Sequence, residues 1–467
     1  MRPLAHTMLA SILGALIVPI ISQVTVAQWP LKSVRDFGAI GDGVADDTAA
    51  IQRAVDSAVG QILFPHGTYR LTSSIVVELD KVGFASFTGL GTARIIMAGA
   101  GPAIRFIGTH DGSANPSDFD DRVWLRQNAP AVDSLHIVGA HAEAVGVEAR
   151  GVMQLTLTRV VVREALHGVH LVERDRNVTI ADCHIYNNRG VGVFYDNVDL
   201  HQSNLTNCHI SYNARGGVVV RGGNVRNVHI GTCDIESNMS RDQPPTANVL
   251  IEGAGGSVAE VAITGCTLQH NHDSPDSANI RVIGLSPKRP FTDELRDGNV
   301  TIANNVLSDV QTNIELRGAR GVVITGNTLW KAFSHQLDIR DSTDVVVGPN
   351  VLHDNPRYNY GDGPNARLAV LFENCSDSTI TGLHVHGTKG QPAGVVVRRS
   401  RRMNLTNLSI LDCDGAGLLL DDVHDSRVSD CLIRDDRANE GMPVAIRVVG
   451  GRNLQIVDNA VNGQIIE

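Results

Sequence analysis

Glu315 and Asp338 stand in two segments of one design, NIELRG and QLDIRD, each followed two places on by an arginine, Arg317 and Arg340. If the segments are neighbouring parallel strands, the two carboxyls lie ~4.8 Å apart. Like charges that close repel, so one pKa is expected to rise and to leave an acid beside a base. Carboxyl pairs ~5 to 9.5 Å apart hydrolyse glycosidic bonds, with the mechanism set by the spacing. The other chemistry open to such a patch is β-elimination, in which a base takes a proton next to a uronate carboxylate while cations neutralise the anion. Arg281, Arg317 and Arg340 are the candidate cations, and His335 is the candidate acid or base. Hydrolysis is favoured over elimination, because a carboxylate pair is present and the outward row of side chains holds no lysine. Trp330, Tyr358 and Tyr360 offer flat faces for stacking on sugar rings. The competing reading of the charges is a salt-bridge ladder in which the arginines merely offset the carboxylates.

Two other clusters carry residue types that bind metals. His184, His209 and Asp234 recur at 25-residue intervals, but a flat ladder of ~4.8 Å steps does not converge on one ion. Calcium at the acidic stretch Asp118-Phe119-Asp120-Asp121 is the alternative to no cofactor. No metal ligand is assigned.

The elements that would carry these residues follow from a repeat. NVTIADCHIYNN, NLTNCHISYN and NVHIGTCDIESN share one pattern, and related units begin near Ser134, Gln154, Asn177, Asn204, Asn227, Glu260, Asn299, Gly321, Asp344, Ser378, Met403, Ser426 and Asn453. Each unit holds three short strands with alternating apolar residues. One unit cannot bury its own apolar face, whereas stacked units share a continuous core. Three strands per turn describe a single-stranded parallel β-helix of about 12–13 coils. Propellers need four antiparallel strands per unit and are the weaker fit. Cys183, Cys208, Cys233 and Cys266 occupy one place in four successive units. Asn305, Asn327 and Asn350 then take that place, followed by Leu383, Leu408, Cys431 and Asn459. This is the signature of an internal ladder, so these cysteines read as buried thiols. Cys375 and Cys413 fall outside it. Long segments before the third strand, at 239–247, 271–278 and 354–367, and one after it, at 285–298, would border a groove.

Residues 34–76 read VRDFGAIGDGVADDTAAIQRAVDSAVGQILFPHGTYRLTSSIV. Asp46 or Asp47 is placed to cap a short helix that would seal the open end of the array. The stretch resembles the N-terminal signature of the pectate-lyase-like superfamily of right-handed β-helix proteins, in its rhamnogalacturonase and epimerase branch. The residues that carry the resemblance are Asp36-Phe37-Gly38-Ala39, Gly41-Asp42-Gly43, Asp46-Asp47-Thr48, Ala50-Ile51, Pro65 and Gly67-Thr68-Tyr69. The resemblance implies right-handed coiling and a polysaccharide ligand lying along the third strand of each coil. It also implies that Asp46-Asp47 is structural. The Asn-Thr-Asp, Gly-His-Gly and Arg-Ile-Lys set of polygalacturonase-like enzymes is absent, as is the Asp-Pro-His motif of alginate epimerases. Neither of those activities is carried over.

The bulk properties agree. A chain that is 42% hydrophobic and 19% charged buries a large core. Its net charge of −10 argues against nucleic acid, whose phosphates need a basic face. Arg2, the apolar run Met8–Ile21 and Thr25-Val26-Ala27 read as a signal peptide over residues 1–27. The expected organisation is residues 28–130 as cap and first coils and 131–467 as repeats. The expected place is outside the cytoplasm: secreted, periplasmic or at the cell surface. The expected activity is cleavage of an acidic or pectin-like glycan, and the alternative is a glycan-binding or structural β-helix without catalysis. Oligomeric state is not legible.

Overall fold

The computed structural model describes residues 31–112, 115, 119–284, 297–437 and 442–466. The expected signal segment, Asp118 of the acidic stretch and most of the 285–298 segment lie outside those residues. Within them the chain winds as a parallel β-helix whose strands pair in parallel from coil to coil. Three faces alternate in each coil, as in Gly298–Ala303, Val306–Leu307 and Val310–Arg317, which pair with Arg320–Thr325, Thr328–Trp330 and Ala332–Arg340. On the third face fifteen rungs follow one another between Ile75 and Ile466. That is more than the repeat predicts, because the first two, Ile75–Glu78 and Gly101–Ile107, lie ahead of the recognisable units.

The corners explain the composition. Asn177, Asn227, Asn299, Asp344 and Asn453 all have left-handed backbones, with φ between 52° and 58°. That conformation favours Asn, Asp and Gly. Side chains at these corners also link coils, as where Asn177 Nδ2 donates to Gln202 Oε1 at 2.6 Å.

Ladders run inside the helix. Cys183 N meets Cys208 Sγ at 3.4 Å, and Cys266 N donates to Asn305 Oδ1 at 2.9 Å. Asn305 and Asn327 Nδ2 donate onward to Asn327 and Asn350 Oδ1 at 3.0 and 2.9 Å. All seven cysteines are buried. Cys375 has its place in a separate stack after the third strand, where its N–H donates to Ser400 Oγ. A further ladder runs along the approach to the third face in the middle coils: Asn188, Asn213, Asn238, Asn248, Asn279, Asn313 and Gln336 are linked amide to amide at 2.6–2.9 Å. It fixes the start of the third face. Asn279→Leu would leave Asn248 Nδ2 without this acceptor and Asn313 Oδ1 without its donor, and is expected to cost about 1–3 kcal/mol in chemical denaturation.

At the N-terminal end the helix α1, Thr48–Asp56, buries Ala50, Ile51, Ala54 and Val55 against the first coil. The aspartate pair divides its work. Asp46 Oδ1 accepts from Thr48 N–H at 3.0 Å, while buried Asp47 accepts from Ile40 and Gly41 N–H and holds the glycine turn. Gly41 has φ +71°, and a Cβ there would stand 2.8 Å from the Tyr69 ring. Both facts require glycine.

Candidate functional site

The third-face strands that matter are β1 (Ala247–Glu252), β2 (Ala278–Ile283), β3 (Val310–Arg317), β4 (Ala332–Arg340), β5 (Ala369–Glu373) and β6 (Ala393–Arg398). Their inward residues, such as Ile314 and Leu316, fill the core. Their outward residues form two rows. Arg281, Glu315 and Asp338 are register partners in one row, and Arg317, Arg340, Glu373 and Arg398 in the other.

The charges interlock. Arg281 Nε donates to Glu315 Oε2 at 2.5 Å, and its Nη2 lies 3.1 Å from Asp276 Oδ2 and donates to the Asp276 carbonyl. Arg317 Nη2 stands 2.9 Å from both Glu315 Oε1 and Asp338 Oδ2. Arg340 closes on Asp338 with Nε and Nη2 at 2.7 and 3.0 Å. Arg398 Nη2 donates to Glu373 Oε2 at 2.8 Å. Arg281, Glu315 and Asp338 are only 3%, 6% and 4% exposed, so this is a buried lattice rather than a solvated one.

That lattice corrects the electrostatic expectation. Burial pushes the Asp338 carboxyl up, but the Arg317 and Arg340 contacts overcome it and hold the group below the ordinary carboxylate range. The repulsion expected between stacked carboxylates is cancelled by the guanidinium between them. Asp338 is therefore ionised.

His335 is the register partner of Thr312, three residues before Asp338. It is half-buried, its Nδ1 is 2.7 Å from Ser334 Oγ, and burial pushes its imidazole below the ordinary value. It is neutral at neutral pH.

The predicted aromatic residues lie apart from this lattice. They line a pocket of about 560 Å³ at the corner between the second and third faces. Trp330 and Tyr358 stack at 4.1 Å between centroids, and Tyr360 is 6.4 Å from Tyr358. Asp309, Lys331, His270 and His272 supply the titratable groups of its lining, with Lys331 Nζ 2.7 Å from Asp309 Oδ1. His272 Nε2 meets Asp362 Oδ2 at 2.5 Å, tying the 354–367 segment to the 271–278 segment. The nine predicted residues thus form two groups, and neither the carboxylates nor His335 line the corner pocket. Sequence reasoning missed Asp309 and Lys331, which occupy left-handed corner positions and read there as turn residues.

His184 and His209 are adjacent in register, with rings 4.9 Å apart, and Asp234 follows. Among the described residues no group of three or more His, Cys, Asp or Glu side chains is arranged to hold a metal. No helix among them is long and apolar enough to cross a membrane.

Burial pushes His110, His136 and His167 down to about 4. Unfolded, each would titrate near 6.5, so the unfolded chain binds more protons below that pH. Stability is expected to fall as pH drops from ~6.5 towards ~4. Asp338 acts in the same direction lower down, since its stabilisation is lost as pH falls through its depressed folded value. Denaturation midpoints at pH 7 and pH 4.5 check this, with the lower value expected in acid.

Comparison with known proteins places this geometry. Residues 31–106 match the rhamnogalacturonase A/epimerase, pectate lyase-like family, and residues 127–275 and 357–465 match the right-handed β-helix region. A mannuronan C5-epimerase of Azotobacter vinelandii is 38% identical over 76 residues, 15% of this chain and 7% of that protein. A glucan 1,3-beta-glucosidase of Cochliobolus carbonum is 50% identical over 112 residues, 22% of this chain and 14% of that protein. The chain thus spans a small part of the length of these curated relatives. Among solved structures, bacteriophage phi29 gene product 12 superposes with a TM-score of 0.53 at 15% identity, over 93% of this chain and 56% of that one. The relatives include polysaccharide-active proteins, and the solved structure bears on fold alone. With more than half its length matched, the chain belongs to the right-handed β-helix family and opens with a segment of the pectate lyase-like, rhamnogalacturonase A/epimerase kind.

Proposed function

We propose that the chain is a polysaccharide-active enzyme that binds an acidic glycan along the third face and abstracts a proton next to a uronate carboxylate. The observation that carries this reading is neutral His335 beside an Asp338 kept ionised by Arg317 and Arg340. A neutral imidazole is a base ready at neutral pH. Arg340 and Arg398 are about a third exposed at the outer row and are the cations open to a substrate carboxylate. An expected export signal at residues 1–27 would deliver the chain to such polymers. The balance therefore moves from hydrolysis, which needs a protonated acid, towards elimination or epimerisation.

One observation favours a second reading. Glu315 Oε1 and Asp338 Oδ2 share the Arg317 nitrogen at 2.9 Å, so they are at most twice that distance apart. Close pairs of ~5–5.5 Å belong to retaining glycosidases.

The test is product formation from a panel of acidic and neutral polysaccharides, followed by reducing ends and by absorbance of unsaturated uronates. Wild type is run beside His335→Gln, Asp338→Asn and Glu315→Gln, each checked for folding. Unsaturated products that vanish in His335→Gln would support elimination. Reducing ends without unsaturation, lost in the carboxylate variants, would establish hydrolysis. Retention of polymer without product would make the chain a binding module. The corner pocket has its own check: Trp330→Ala is expected to weaken polymer retention roughly tenfold, the scale of losing a buried aromatic anchor.

A further inference from the structure

The outward row of the third face carries another charged group five rungs before Glu315, with His170, Phe194, Val219, Leu250, Arg281 and Glu315 as successive register partners. At ~4.8 Å per rung it lies ~24 Å from the carboxylate pair and cannot share a sugar ring with it. His170 sits between two carboxylates: Nε2 is 3.1 Å from Asp196 Oδ2, and Nδ1 is 3.5 Å from Glu148 Oε2. Glu148 is fixed from behind by Arg105 Nε at 2.6 Å. Phe194 lies parallel to the imidazole, 5.5 Å away with 13° between planes, and sets its orientation. Beside it, His167 Nδ1 accepts from Val191 N–H at 3.1 Å, which leaves Nε2 as the protonated, donating nitrogen.

The two sides of His170 differ. The side chain of Glu148 is 12% exposed and held by two partners, whereas that of Asp196 is 41% exposed. Asp196 is the partner that can be parted from the ring. A hydroxyl entering there accepts from His170 Nε2–H and donates to the Asp196 carboxylate, which keeps both charged groups satisfied. An entering anion would face Asp196 itself. Burial alone would lower the His170 pKa, but Glu148 and Asp196 overcome it and raise the group, so the imidazolium persists towards neutral pH. The other charged and titratable groups nearby are Arg105 at Glu148, His167 with Arg215 acting on it, and Arg221, the register partner of Asp196, whose Nε is 2.7 Å from Glu252 Oε2.

We propose that Glu148, His170 and Asp196, with His167 beside them, form a second sugar site on the third face, whose occupant is a neutral sugar bound through a hydroxyl set between His170 and Asp196. It is separate from the acidic-glycan site proposed above and does not depend on it.

The test is titration of ring-labelled histidine in the full chain, with the His170 signal assigned through His170→Gln, against neutral glucan oligosaccharides and, separately, uronate oligosaccharides. Neutral oligosaccharides are expected to shift the His170 signal, and Asp196→Asn to weaken the binding about tenfold or more. Asp196→Asn sits at the rim and keeps the side-chain shape, so its fold is readily verified by thermal unfolding. No shift with any neutral oligosaccharide, or equal binding by Asp196→Asn, overturns the proposal. A shift with uronates alone overturns it too, since an anion would then be the occupant. The readout is independent of catalysis, so loss of activity in the His335, Asp338 and Glu315 variants leaves it untouched.

Discussion

Glu315→Ala is expected to destabilise the fold by about 3–5 kcal/mol, the range for removing one partner from a buried ion pair. Glu315 is the link on which two arginines converge, Arg281 through Nε and Arg317 through Nη2. Arg281 is 3% exposed and cannot turn to water when its acceptor goes. It keeps carbonyl contacts to Thr246 and Asp276 and the Asp276 carboxylate at 3.1 Å, but that carboxylate is 64% exposed, so water screens it and it offsets the buried charge only in part. Arg317 suffers less, because Asp338 still accepts from it at 3.1 and 2.9 Å. Most of the loss therefore comes from Arg281. The double variant Arg281→Leu, Glu315→Leu removes both charges and is expected to lose far less than Glu315→Ala. Urea midpoints of the three proteins check this, and a double variant as unstable as the single one would show that the lattice is not the cause.

The second large effect concerns activity. His335→Gln is expected to slow product formation about 10²–10⁴-fold, the contribution of a positioned general base, with stability changed little. His335 is half-buried and its ring contact is with the neighbouring Ser334 hydroxyl, so no ion pair is broken. Activity should also fall in acid, as the imidazole takes up its proton below the ordinary histidine range. A pH–rate profile resolves this. An acid limb unchanged in His335→Gln would assign the base to another group.

The third face was legible in the sequence because two periodicities coincide on it. Alternation of period two tells inward from outward residues, and the repeat tells which outward residues are neighbours. Together they give the pairing of Glu315 with Asp338 and of Arg317 with Arg340. They do not tell where a long side chain ends. Arg317 stands two residues from Glu315 along its own strand, yet its guanidinium reaches both Glu315 and Asp338, which turns an expected repulsion into a clamp. The asparagine ladder was partly visible, since Asn188, Asn213 and Asn238 recur at 25-residue intervals. Insertions before Asn279 and Asn313 hide its continuation, and only the fold restores it. His170 and Asp196 give no comparable signal, because apolar Phe194, Val219 and Leu250 separate His170 from the charged run that begins at Arg281. The corner pocket depends on where the 271–278 and 354–367 segments turn, and no repeat governs that.

The buried thiols have a consequence for how the rod comes apart. Cys183, Cys208, Cys233 and Cys266 lie in the middle of the axis, with Cys375, Cys413 and Cys431 spaced towards the later coils. Each thiol is sealed as long as its coil is closed, and in a stack held by nearest neighbours the coils near an end open more readily than those between. An alkylating reagent therefore marks each cysteine at the frequency with which its own coil unwinds. Read in order, the seven labelling rates form a ruler along the axis, graduated in coil-opening free energy, with Cys431 expected to react first and the central four last.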